Sequence, residues 1–133
     1  SENPKAETMA EESSPSYGAL VRAGINVGLG LDYCSGEEEF YLEMLKMFHD
    51  QEEEKRAELI SLYDASNWKD YAIKVHALKS TSLTIGAETL SLQAKALEQA
   101  GKEENVDYIR ENHPLLLQMY HETCESISTV IMI

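Results

Sequence analysis

The sequence predicts an all-α protein, an antiparallel four-helix bundle with a short N-terminal covering segment or helix. Three observations predict it. Apolar residues recur near helical period in several long stretches. The strong helix formers Leu, Ala, Glu, Lys and Met are abundant. No stretch carries the period-two alternation of a strand, and glycine and proline gather at a few places between the helical stretches.

Residues 1–16 are polar and acidic, with Pro4 and Pro15 near their ends, and read as a linker or tail. The domain proper is predicted over residues 17–133. Residues 17–24 form a brief amphipathic piece with Leu20 and Val21. The glycine-rich run GINVGLGLDYCSG is predicted as an ordered loop that packs Ile25, Val27, Leu29 and Leu31. Ser35, three residues before Glu38, has the spacing of a capping box, and Glu37, Glu38 and Glu39 suit the positive end of a helix dipole.

The helix that follows carries Phe40, Leu42, Met44, Leu45, Met47 and Phe48. The polar run 49–56 marks a bend or boundary, after which Ala57, Leu59, Ile60, Leu62 and Tyr63 resume the pattern. A turn at 64–67 ends it, and Asn67 caps a helix from Trp68 to about residue 83. Gly86 sits in a turn. A helix over 87–100 presents Leu90, Ala94 and Leu97, and Gly101 is predicted to end it. The last helix covers about 103–128, with Pro114 expected to kink or split it. The methionines at 44, 47 and 119 read as core filler, and Trp68 as a packing anchor.

A length of 133 residues suits one domain, and 43% hydrophobic content suits a globular one. The formal charge of −13 disfavours nucleic acid and anionic membrane surfaces as partners. Cys34 and Cys124 are far apart in sequence and read as reduced, partly buried thiols of a cytoplasmic protein. No apolar stretch approaches the length of about 20 residues that spans a bilayer, and no signal peptide is expected before the domain. The chain begins with Ser, so the natural protein is expected to extend further.

The helix from Trp68 carries the informative chemistry. At steps of about 100°, Tyr71, Val75, Leu78 and Ser82 share one side, which faces the core. His76 lies roughly 135° from the centre of that side and is predicted to be exposed. Lys79 and Ser80 flank it one turn on, and Ala72, Ile73 and Leu83 complete its surroundings. Small and apolar residues around a single imidazole and ammonium read as a docking face. Free imidazole has a pKa of about 6.5, so a neutral ring nitrogen is an available nucleophile near pH 7. It can attack an acyl phosphate and hold the phosphoryl group, with Lys79 offsetting the charge of its oxygens. The plain alternative is an ordinary surface histidine with a lysine one turn on.

The segment HALKSTSLTIGA, residues 76–87, resembles the signature H-x-L-K-G-small-small-x-x-I/L-G-A of the histidine phosphotransfer family. His76, Leu78, Lys79, Thr81, Ser82, Ile85, Gly86 and Ala87 fit it, and Leu90 and the Leu97–Glu98 pair follow at familiar spacing. FYLEMLKMF resembles the family's preceding helix, so the likeness covers about residues 25–128. The resemblance implies that His76 is the phosphoacceptor, that Lys79 steadies the phosphoryl group, and that Gly86 makes the turn letting the next helix pack close. It implies that Glu98 orients the ring, although an ordinary solvated glutamate is the alternative. Ser80 departs from the family's glycine; it remains small enough for a partner's approach.

By the same resemblance the chain relays phosphoryl groups between receiver-domain aspartates of response regulators. The Mg²⁺ that assists transfer belongs to the receiver, and this chain has no metal or cofactor of its own. A hybrid sensor kinase in the same chain is a further implied partner, and the domain itself is expected to be a monomer. It is a carrier and not a kinase, since no Gly-rich nucleotide loop or catalytic Asp signature occurs. Two alternatives stand beside it: the substrate domain of a chemotaxis-type kinase, and a docking bundle that binds receivers without transfer. His49, His113 and His121 read as surface or boundary histidines, because His113 and His121 are too far apart for a helical metal pair.

Overall fold

The computed structural model describes residues 17–131, so the predicted tail at 1–16 lies outside the described residues. These residues form seven helices and no strand. In chain order they are α1 (Tyr17–Arg22), α2 (Val27–Tyr33), α3 (Glu38–Asp50), α4 (Glu52–Asp64), α5 (Trp68–Thr84), α6 (Glu88–Glu103) and α7 (Val106–Ile131). The bundle has four arms: α3 and α4 together, α5, α6 and α7. α3 packs on α7, α4 on α5, α5 most extensively on α6, and α6 on α7, which closes the ring; α1 and α2 cover one end. The turns at 85–87 and 104–105 are too short for anything but antiparallel neighbours.

The core takes one stripe from each arm. α3 contributes Tyr41, Leu45 and Phe48, α4 Leu59, and α5 Tyr71, Val75, Leu78 and Ser82. α6 adds Leu90, Ala94 and Leu97, and α7 adds Ile109, Leu116, Tyr120 and Ile127. The polar Ser82 is accommodated because its hydroxyl donates to the Leu78 carbonyl at 2.7 Å. Cys34 and Cys124 are both buried free thiols.

Several expectations from sequence are corrected. The glycine-rich run is not all loop. It contains α2, whose first turn is capped by the Asn26 side chain accepting from the Leu29 amide at 3.0 Å. Glycine lowers helix propensity but does not forbid a helix, and here Gly30 is the contact: a Cβ there would lie 2.4 Å from the Tyr41 ring and 2.8 Å from the Ile85 carbonyl. Ser35 does not cap α3. It adopts φ 56° in the turn that closes α2, where the Gly36 amide donates back to the Leu31 carbonyl at 2.7 Å. Glu37 takes the N-cap position of α3. Met47 is 52% exposed and not core, since the buried phase of α3 runs through Tyr41, Leu45 and Phe48.

Gly101 does not end α6, which continues to Glu103 and stops at Glu104 in the left-handed region. Nor does Pro114 split the last helix; α7 runs unbroken through it, anchored on both sides by buried Ile109, His113, Leu116 and Leu117. His113 is not a surface residue. It is 5% exposed, its ring stacks on Tyr63 at 4.1 Å, and its Nδ1 shares a 2.8 Å hydrogen bond with the Tyr71 hydroxyl.

That burial has a pH consequence. Desolvation pushes the His113 imidazole below its ordinary range; Asp64 pulls partly the other way and Arg56 reinforces the fall. The folded chain therefore binds this proton more weakly than the unfolded chain does. The stability that depends on a neutral ring is complete above the unfolded value of 6.5 and is lost as pH falls through the lower folded one. The melting temperature should drop between pH 7.5 and 5.5, and His113→Gln should flatten that drop. Equal slopes in the two proteins would show that other groups set it. Exposed His121, raised by its hydrogen bond to Glu52, works in the opposite sense and is present in both.

Candidate functional site

The site is built by the close approach of α5 and α6. Small residues permit it. A Cβ on Gly101 would lie 3.1 Å from the Ala72 Cβ and 3.3 Å from the Trp68 carbonyl, so the helices meet there nearly backbone to backbone. Further along, the Ser91 hydroxyl of α6 donates to the Lys79 carbonyl of α5 at 2.9 Å. This spacing lets a short acidic side chain on α6 reach the exposed face of α5.

Glu98 is that side chain. Its Oε2 lies 2.8 Å from His76 Nδ1, its Oε1 accepts from Lys79 Nζ at 2.7 Å, and Lys102 Nζ stands 3.2 Å from Oε2. Glu98 is itself buried, whereas the His76 side chain is 56% exposed. The solvated glutamate left open by the sequence is thus not what this position holds. Burial raises its proton affinity, yet hydrogen bonds from Lys79, His76 and Lys102 outweigh that and hold the carboxyl at about 2. It is an anion at any physiological pH.

An ionised carboxylate only accepts hydrogen bonds, so Nδ1 of His76 carries the proton in this contact. In the neutral ring the lone pair is then on Nε2, the nitrogen turned away from Glu98. The arrangement favours one tautomer, with the unprotonated nitrogen on the side of the ring away from Glu98 and the ring itself 56% exposed.

Of the remaining residues singled out from sequence, Ala72 and Ile73 line the cleft beside His76, while Gly86 lies away from it in the α5–α6 turn. Ile73 is 58% exposed beside the ring, and Ser80 is exposed one turn on. Leu83 is half-buried. Ala72 is buried under Gly101 and forms the floor of the cleft beside His76. Gly86 takes φ 89° in the α5–α6 turn, and its carbonyl accepts from the Asn26 amide at 2.8 Å, so the turn is pinned to the N-terminal cover. Lys102 was missed from sequence. Its only signal there is the i,i+4 spacing from Glu98, which on a helix surface is commonplace.

Among the described residues, no group of three or more His, Cys, Asp or Glu side chains is arranged to hold a metal ion. Among the same residues, no helix is long and apolar enough to cross a membrane.

Residues 43–126 match the Hpt domain family, a span that includes His76, Lys79, Gly86 and Glu98. The chain is also similar to the phosphorelay intermediate protein rdeA of Dictyostelium discoideum, at 27% identity over 97 residues. That likeness covers 73% of this chain and 38% of the relative, so the chain spans well under half of the relative's length. No solved structure matches it.

Proposed function

The chain belongs to the Hpt domain family, whose members carry out histidine phosphotransfer in phosphorelay signalling, and from that premise we propose that His76 is its phosphoacceptor. The observation that carries this reading is the 2.8 Å contact between His76 Nδ1 and an ionised, buried Glu98. It leaves Nε2 as the free nucleophile on an exposed ring.

In this reading a receiver domain brings a phosphorylated aspartate against the α5 face. Nε2 attacks phosphorus and the aspartate carboxylate leaves; a second receiver takes the phosphoryl group by the reverse step. Glu98 keeps the tautomer and the ring orientation, which lowers the cost of reaching the reactive geometry. Lys79 holds Glu98 in place, and its ammonium lies on the same face as the incoming phosphoryl oxygens. Ile73, Ser80 and Leu83 offer contact surface without bulk close to the ring, and Ala72 keeps the cleft floor low.

The domain acts as a phosphocarrier and has no kinase activity of its own. The Mg²⁺ that assists transfer sits with the receiver's aspartates, and the domain needs no cofactor. Such a protein works in the cytoplasm, as a monomer, alone or tethered to a hybrid kinase. The direct test is incubation with a receiver charged by acetyl phosphate, following radiolabel into acid-labile, base-stable phosphate on this chain. Binding without label would favour a mere docking bundle.

Lys79→Ala should slow transfer about tenfold to a thousandfold, the scale of removing one charge-stabilising group. Stopped-flow or quenched single-turnover transfer measures it. An unchanged rate would reduce Lys79 to a surface lysine.

A further inference from the structure

Phosphorylation changes the ring that Glu98 faces. In the forward step the lone pair of Nε2 forms the N–P bond. The P–O bond to the receiver aspartate breaks, and its electron pair leaves on the carboxylate. No proton moves. The ring keeps its Nδ1–H and, now bonded to phosphorus through Nε2, carries a positive charge. We propose that the Glu98 carboxylate, 2.8 Å from Nδ1, holds the phosphorylated ring in this protonated form through neutral and mildly alkaline pH, and so keeps the phosphoryl group transferable.

The protonation state decides the fate of the group. In the return step an acceptor aspartate attacks phosphorus and the N–P electron pair goes back to Nε2. With Nδ1 protonated, the leaving group is neutral imidazole. With Nδ1 bare, it is an imidazolate anion, a far poorer leaving group. A site that let Nδ1 lose its proton would trap the phosphoryl group as an inert phosphoramidate.

The surrounding charges fix the sign. From α5 the ring neighbours are Lys79 and, at the cleft mouth, Lys69; from α6 they are Glu98 and Lys102, with Glu104 at its end. The lysines alone would favour loss of the ring proton. Two of them, however, are bound to the same carboxylate, and Lys102 is 61% exposed and well screened. Glu98 touches the proton itself, and its side chain is only 8% exposed, so its field is the least screened of the set. An opposite charge in direct contact raises a cation's pKa by about one to three units.

The inference rests on phosphotransfer at His76, and the experiment separates the two. Protein labelled with ¹⁵N-histidine is phosphorylated by a charged receiver, and Nδ1 is followed by NMR from pH 6 to 9 in the wild type and in Glu98→Gln. The variant keeps one acceptor oxygen for Nδ1–H, removes the charge, and gives up the second acceptor that Lys79 uses. The phosphorylated wild-type ring should stay protonated at Nδ1 about one to three pH units higher than that of the variant. The ratio of wild-type to variant rates of donation to a fresh receiver should grow by up to about tenfold per pH unit above the variant's midpoint.

Coincident midpoints in the two proteins would overturn the inference and leave the phosphoacceptor intact. Absence of any phosphate on His76 would overturn the underlying reading as well. Should Glu98→Gln fail to fold, the wild type is compared with itself in urea. A native midpoint at least about one unit above the denatured one is then expected, and an equal or lower midpoint refutes the role of Glu98.

Discussion

His76→Gln should fold with wild-type helicity and melting temperature, and take up no phosphoryl group from a charged receiver. The side chain is 56% exposed and does not belong to the buried core, so its loss removes chemistry and leaves the core packing alone. Glutamine retains an N–H that can reach the Glu98 carboxylate, so the buried charge keeps its partners. The expected loss is complete because no other histidine offers the same combination. His49 also has Nδ1 against a carboxylate, Asp50 at 3.0 Å, but its ring is only 32% exposed and that carboxylate is 49% exposed, whereas the His76 ring is 56% exposed over a Glu98 that is 8% exposed. His113 is buried and hydrogen-bonded to Tyr71. Both ring nitrogens of His121 face carboxylates, Glu52 at 3.0 Å and Glu125 at 3.3 Å. Phosphorylation of the variant at the wild-type rate, read by phosphate-affinity electrophoresis, would remove His76 from the mechanism.

The second large effect falls on the fold. Gly86→Ala should destabilise the domain by about 2–5 kcal/mol. About 1–2 kcal/mol of this comes from placing a side chain at positive φ, and about 1–3 kcal/mol from forcing packed backbone apart. Gly86 has φ 89°, and a Cβ there would lie 2.0 Å from the Asn26 carbonyl oxygen. That atom is backbone and cannot step aside without breaking the Asn26-to-Gly86 hydrogen bond. Gly36 provides the control. It has φ 74° but open space around its Cβ position, so Gly36→Ala should cost only the conformational part. Urea denaturation of the two variants measures the difference; equal losses would mean that the approach of Asn26 is not what requires glycine at 86.

How far the sequence could be read depends on where each constraint resides. The phase of α5 was legible because Tyr71, Val75, Leu78 and Ser82 repeat on one side of an uninterrupted helix, and all four are buried. That phase alone turns His76 outwards. The helix at 27–33 was hidden because its three glycine-spaced apolar residues mimic a loop, and its stability comes from tertiary contact with Tyr41 and Ile85. His113 was misread because its burial comes from Tyr63 and Tyr71 on other helices, contacts that no local pattern around residue 113 encodes.

Glu98 was the hardest. Its type and spacing were visible, but its burial and its three nitrogen partners, the His76 ring and the Lys79 and Lys102 ammonium groups, depend on how closely α6 lies against α5. That distance is set by Gly101 over Ala72, a contact between residues 29 apart in sequence that no local pattern encodes. Lys102 escaped for the same reason.

The central claim is that one nitrogen of one side chain carries the phosphoryl group. After incubation with a charged receiver, ³¹P–¹⁵N correlation in the ¹⁵N-histidine-labelled protein locates the bond directly. A single N–P linkage at Nε2 of His76 is the expected result. A linkage at Nδ1, or phosphate on His49, His121 or a hydroxyl side chain, would contradict the geometry on which the function is built.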